Sequence, residues 1–164
     1  KVTLFKINDL DVNNLDVATL NEYYFKTMHH EFTHILNQRK PYDTNYDRIT
    51  ESSYVGSDWY HIYDEQALQM GFISPYAMDR GSEDFAEMLS IFVTNTADTW
   101  ESYLEAAEPN PNSPYYKAGV DGRAILEQKF DIVYKYMKDS WGVDLYELRD
   151  VVQRRQGEIN TLFN

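Results

Sequence analysis

Residues 29–34 read His-His-Glu-Phe-Thr-His, and within them His30, Glu31 and His34 form the pattern H-E-x-x-H. The six residues lie inside a longer stretch, Asp16 to Gln38, where Leu20, Tyr23, Tyr24, Met28, Phe32, Ile35 and Leu36 recur at helical spacing. Asp16 is suited to cap the start of that helix, and Pro41 forbids much continuation beyond it. On a helix His30 and His34 stand one turn apart on one face, so two imidazole nitrogens can reach a single ion at about 2.0–2.1 Å. Glu31 is rotated by about 100° from His30 and can instead reach a water on that ion, where it would serve as general base. His29 points away from this face and is not expected as a ligand. Three of the four histidines fall within these six residues, which distinguishes the stretch from an ordinary helix face that matches by chance.

A catalytic zinc site needs a third protein ligand and an open position for water. The segment Glu83-Asp84-Phe85-Ala86-Glu87 offers two acidic residues on one helix face. One of them can bind metal while the other accepts a hydrogen bond from a ligating imidazole and fixes its tautomer. A plainer reading is a solvated helix start, because acidic residues are favoured in a first turn by the helix dipole.

Outward from these segments, Lys1 to Ile7 alternates around Val2, Leu4 and Phe5 and predicts a short strand, with a polar turn over Asn8 to Asn14. Pro41 to Asp64 is rich in Tyr, Asp, Asn, Thr, Ser and Gly and reads as a functional loop or short hairpin placed to line a cleft. A short helix over Asp64 to Met70 stops at Gly71, and Ser74 and Pro75 make an extended turn. Ser82 is suited to cap a helix over Glu83 to Val93. Thr99 to Ala107, Ala118 to Asp139 and Leu145 to Phe163 read as three further helices, with a breaker cluster at Pro109 to Pro114. The fold class is therefore mainly α with a minor β-sheet. At 164 residues, 43% of them hydrophobic, and with no internal repeat or linker, the chain is expected to form a single domain spanning 1–164.

The formal charge of -12 opposes phosphate backbones and anionic lipid head groups, so nucleic acid is not an expected partner. The absence of cysteine excludes thiolate ligands and cysteine nucleophiles, leaving nitrogen and oxygen to hold any metal. No run of apolar residues is long enough for a membrane span, and none resembles a signal peptide. Because the chain opens on Lys1, it is expected to be part of something longer.

The segments HHEFTHILNQ (29–38) and GFISPYAMDRGSEDFAE (71–87) resemble a zinc-binding metallopeptidase family of Bacteroidota, the substrate-import-associated zinc metallohydrolase lipoproteins. The resemblance covers most of the span from His29 to Val93. A more distant similarity is to the catalytic domain of anthrax lethal factor, which has an H-E-F-x-H helix followed by an E-x-F-A-E helix. These resemblances imply a zincin-like catalytic domain of the gluzincin kind, with one Zn2+ held by His30, His34 and Glu83. They favour Glu83 over Glu87 as the ligand and leave Glu87 the role of supporting a ligating histidine, His30. In the thermolysin pattern an aspartate stands where this chain has Glu87. They also single out Tyr76, seven residues before Glu83, as a phenol that steadies the reacting oxyanion. His61 is open to three readings: an alternative ligand, an oxyanion donor or a surface residue.

The expected activity is peptide-bond hydrolysis with Glu31 as general base, acting on a peptide or protein substrate. The resemblance further implies an exported lipoprotein of the cell envelope, the C-terminal part of a longer protein, with outer-membrane import proteins as partners. The competing expectation is a non-catalytic accessory protein of such an import system, keeping the zinc site but using the aromatic loop Tyr54 to Tyr63 to hold a peptide or glycan.

Overall fold

The structure, a computed structural model, describes residues 16–162. The strand expected at Lys1–Ile7 and the turn at Asn8–Asn14 lie outside the described residues. Asp16 opens the first helix, α1 (Val17–Leu20), by accepting hydrogen bonds from the Thr19 amide at 2.9 Å and the Ala18 amide at 3.4 Å. The helix then widens into a π-helical turn over Asn21–Phe25 before continuing as α2 (Lys26–Arg39), which ends just ahead of Pro41. The single helix expected over 16–38 is thus continuous but carries a π turn. At that turn Asn21 donates to the Thr94 carbonyl at 3.0 Å and accepts from Gln156 Nε2 at 2.6 Å.

The segment after Pro41 forms no hairpin. It folds into α3 (Asn45–Ile49) and two 3-10 turns, Glu51–Ser53 and Gly56–His61, and then into α4 (Asp64–Gln69). Gly71 terminates α4 with φ +78°, and a Cβ there would lie 2.3 Å from Ile125 Cγ2, so both the backbone angle and the packing demand glycine. A 3-10 turn at Tyr76–Met78 leads into α5 (Gly81–Thr94). Its N-cap is Arg80, which makes no side-chain capping bond, and Ser82, expected to cap, lies inside the helix. The helix begins earlier because the extended Arg80 offers its carbonyl to the amides of both Glu83 and Asp84 at 3.0 Å.

Every residue of α5 from Asp84 to Thr94 is buried. This helix is the axis of the molecule, and α2, α3, α7 and α8 pack around it. α6 (Ala97–Ala106) is capped by Thr96, and α7 (Gly122–Trp141) by Asp121, whose carboxylate accepts from the Ala124 amide at 3.0 Å. α7 buries Leu126, Phe130, Val133 and Met137 along one stripe, and α8 (Leu145–Leu162) completes the bundle. Phe85, Phe92, Trp100 and Phe130 belong to the shared core.

Among the described residues there is no β-strand, so the minor sheet expected from the sequence is not found in them and the fold is mainly α. The one strand the sequence placed lies outside the described residues. The one alternating segment is Lys1–Ile7, whereas the apolar residues elsewhere follow a helical period and the Tyr- and Ser-rich loop closes locally in 3-10 turns.

Candidate metal centre

α2 and α5 lie side by side, with His30 level with Glu87 and His34 level with Glu83, so they run in opposite directions. Helical spacing of four on each chain segment then brings two imidazoles against two carboxylates. His30 Nε2 is 3.0 Å from Glu83 Oε2, His34 Nε2 is 3.2 Å from that same oxygen, and the two Nε2 atoms are 3.1 Å apart. His30, His34 and Glu83 therefore each offer one ligand atom to a common point. A tetrahedral ion with bonds of about 2.0–2.1 Å separates its ligand atoms by about 3.3 Å, close to these three edges. The donor set, two imidazole nitrogens and a carboxylate oxygen, is one that suits zinc.

The other face of His30 is held by Glu87, whose Oε1 lies 2.9 Å from Nδ1. Glu87 is almost fully buried, and burial alone would raise its pKa. His30, the Lys26 ammonium and the Ser74 hydroxyl outweigh burial and keep it below the usual glutamate value. As a carboxylate it accepts the Nδ1 proton, so that in the neutral ring the Nε2 lone pair is the one turned toward Glu83 and His34. Three electron-rich atoms so close together require positive charge among them. Accordingly, burial pushes the His30 pKa down, but the carboxylates of Glu83 and Glu87 overcome it and raise it to about 9. Hydrogen bonds from His30 and His34 hold Glu83 well below the normal range.

Glu31 is half-buried on α2 and its side chain makes no hydrogen bond or ion pair with the described residues, so its carboxylate is uncommitted. Tyr76 stacks against the His30 ring with centroids 5.6 Å apart, and Trp59 meets Tyr76 edge-on at 5.0 Å. Burial, followed by the neighbouring Glu83 carboxylate, pushes the Tyr76 phenol well above its ordinary value, so it remains a proton donor near neutral pH. The segment after Pro41 thus brings Trp59 against Tyr76. His61 is exposed and rests on the Tyr60 ring at 4.0 Å, outside the ligand triangle. His29 is half-buried, and desolvation lowers its pKa.

Two contributors had no signal in the motif. Ser74 donates to Glu87 Oε2 at 2.7 Å, and Lys26 Nζ reaches the same oxygen at 3.1 Å. Lys26 lies one helical turn before His30, a spacing from which its approach to the partner helix could have been suspected.

Residues 1–146 match a family described as "Putative zinc-binding metallo-peptidase". A crystal structure of a "putative zinc-binding metallo-peptidase" from Bacteroides caccae is similar, with a TM-score of 0.80 and 42% sequence identity. The match covers 94% of this chain and 54% of that one, so the present chain spans about half the length of its solved relative. No curated protein matches the chain.

Proposed function

The chain belongs to the zinc-binding metallo-peptidase family, and from that premise we propose that it is a zinc-dependent peptidase of the gluzincin kind, acting on peptide or protein substrates. The observation that carries this reading is the triangle of His30 Nε2, His34 Nε2 and Glu83 Oε2, with edges of 3.0, 3.1 and 3.2 Å. These residues would hold one Zn2+. Bound there, zinc would supply Lewis acidity toward a carbonyl oxygen and make a water acidic enough to ionise near neutral pH.

The chain's own residues supply the rest. Glu31 takes the proton of the attacking water and later delivers it to the leaving amine, one carboxylate serving as base and then as acid. Tyr76 donates a hydrogen bond to the oxygen on which charge develops, without bringing a charge of its own. Glu87 holds the Nδ1 proton of His30 and so keeps Nε2 turned toward the ligand point. Trp59 and the His30 ring flank Tyr76, limiting the directions in which the phenol can swing.

As further parts of the same proposal, the chain is the catalytic portion of a longer exported lipoprotein working beside outer-membrane import proteins. Among the described residues no helix is long and apolar enough to cross a membrane. The exposed Tyr60 and Tyr63 support a second reading, in which the site keeps its metal but the loop only holds a peptide or glycan.

Elemental analysis of chain purified without a histidine tag or chelator, together with a peptide-library digest, tests the proposal. The expected result is near one zinc per chain, lost in Glu83→Ala, with cleavage that disappears in Glu31→Gln while zinc stays. An active Glu31→Gln protein would overturn the mechanism. Zinc without any cleavage of the library would favour the binding reading.

A further inference from the structure

Ser74 is only half-buried and lies nine residues before Glu83, yet its hydroxyl joins two parts of the site that belong to different elements. It donates to Glu87 Oε2 at 2.7 Å and accepts from the Ala77 amide at 3.2 Å. The first bond reaches the carboxylate that orients His30, and the second pins the 3-10 turn on which Tyr76 sits between Pro75 and Ala77. A hydroxyl is the smallest group able to donate and accept at once, which is what this junction requires.

Geometry makes the coupling specific. Glu87 has two oxygens: Oε1 faces His30, and Oε2 is shared by Ser74 and Lys26. Both oxygens are therefore committed, and the plane of the carboxylate is set by partners on both sides. The Lys26 side chain is one-third exposed and flexible, so its ammonium supplies charge more than direction. Ser74 is held close to the backbone by its own turn and supplies the direction. The same turn keeps the Tyr76 ring against the His30 ring at 5.6 Å.

We propose that Ser74 is a positioning residue that locks the Tyr76 turn and the His30–Glu87 pair into one alignment. The consequence for metal binding rests on the peptidase reading given above. Without the hydroxyl, the Ala77 amide and Glu87 Oε2 each lose a partner, Glu87 can rotate about its last bond, and His30 is no longer held square to the ligand point. Outer partners of metal-binding histidines commonly change metal affinity by about 10–100-fold, and Ser74, one bond further out, belongs at the lower end of that range.

The experiment uses the whole chain as wild type, Ser74→Ala and Ser74→Thr, with two readings on each. Zinc affinity is measured by competition with a chromophoric chelator, and ring-nitrogen NMR of the metal-free protein follows His30 and His61. Ser74→Ala is expected to weaken zinc by about tenfold and to shift the His30 ring signals while those of His61 stay in place. Ser74→Thr, which keeps the hydroxyl, is expected to restore both. Loss of thermal stability in Ser74→Ala with unchanged zinc affinity and unchanged His30 signals would reduce Ser74 to a structural residue and overturn the inference. If Ser74→Ala does not fold, Ser74→Cys, a weaker donor, must show the same shifts or the inference fails. A wild type that takes up no zinc would refute the peptidase reading alone, and the His30 signals would then decide the case for Ser74.

Discussion

Asp84 and Lys129 form an ion pair at 2.6 Å with neither side chain exposed, and Asp84 directly follows Glu83. Lys129 Nζ also donates to the Gly71 carbonyl at 2.9 Å and lies 3.9 Å from the centre of the Phe72 ring. Tyr54 donates to the same Asp84 oxygen at 2.9 Å. Desolvation raises the Asp84 pKa and lowers that of Lys129, so the pair is costly to bury and depends on both members being present. Lys129→Met is expected to destabilise the fold by about 3–5 kcal/mol in urea unfolding, because it strands a buried carboxylate beside the candidate ligand Glu83. Adding Asp84→Asn to that variant should recover part of the loss. A Lys129→Met protein within about 1 kcal/mol of wild type would contradict this account.

Glu87→Gln separates orientation from ligation. The amide can still accept from His30 Nδ1 but no longer carries charge, and its NH2 group faces Ser74 and Lys26 as a donor among donors. Zinc affinity is expected to fall about 10–100-fold without being abolished. Abolition would mean that Glu87, not Glu83, completes the ligand set.

Tyr76→Phe keeps the ring against His30 and removes only the hydroxyl. With zinc content unchanged, kcat on a cleaved peptide is expected to fall about 100-fold, the scale on which a lost oxyanion donor is felt. Unchanged kcat would return Tyr76 to a packing role beside Trp59.

Metal-free protein should depend on pH through His30. Its pKa is raised from 6.5 to about 9 on folding, so protonation stabilises the folded state in full below 6.5 and that contribution is lost as pH rises through about 9. Thermal unfolding in chelator should therefore show a falling midpoint across this window. The zinc-loaded chain should lack the fall, since a ligating imidazole cannot hold that proton. A flat metal-free profile would show that His30 does not carry the charge in the folded state.

At Gly81, the first residue of α5, a Cβ would lie 2.1 Å from Asp47 Oδ1, so any larger residue must push the Asp47 carboxylate aside. Asp47 also accepts from Tyr42 at 2.9 Å and brings negative charge to the N-terminal end of α5, where the helix dipole favours it. Gly81→Ala is expected to displace Asp47 and lower stability by about 1 kcal/mol, against the gain in helix propensity that alanine normally brings. Calorimetric melting of the two proteins checks the sign.

The ligand-bearing elements were legible in the sequence because each rests on a local period. His30 and His34 share a face by spacing alone, and Glu83 and Glu87 do the same on the second helix. Which acidic residue meets which imidazole was not legible from spacing, since it depends on the opposed directions of α2 and α5; resemblance was needed to prefer Glu83. Ser74, Lys129 and Asp47 were invisible for a related reason. Each acts across the fold on a residue distant in sequence, and none has a periodic neighbour to announce it. The π turn at Asn21–Phe25 also escaped, because one extra residue in a turn barely disturbs an apolar pattern that is already imperfect. Ser82 misled because a serine before two acidic residues looks like a cap, whereas the extended Arg80 begins the helix sooner.

His34 and Glu83 are 49 positions apart, and the segment between them contains Trp59, Ser74 and Tyr76. Joining its two ends through a single ion turns an open stretch of chain into a closed ring. Such a ring exists only while all three ligand residues are in place, so the binding energy of the ion would add directly to the stability of the folded segment. The metal would thus act as a clasp as well as a reagent: opening the segment between His34 and Glu83 by local unfolding would require surrendering the ion.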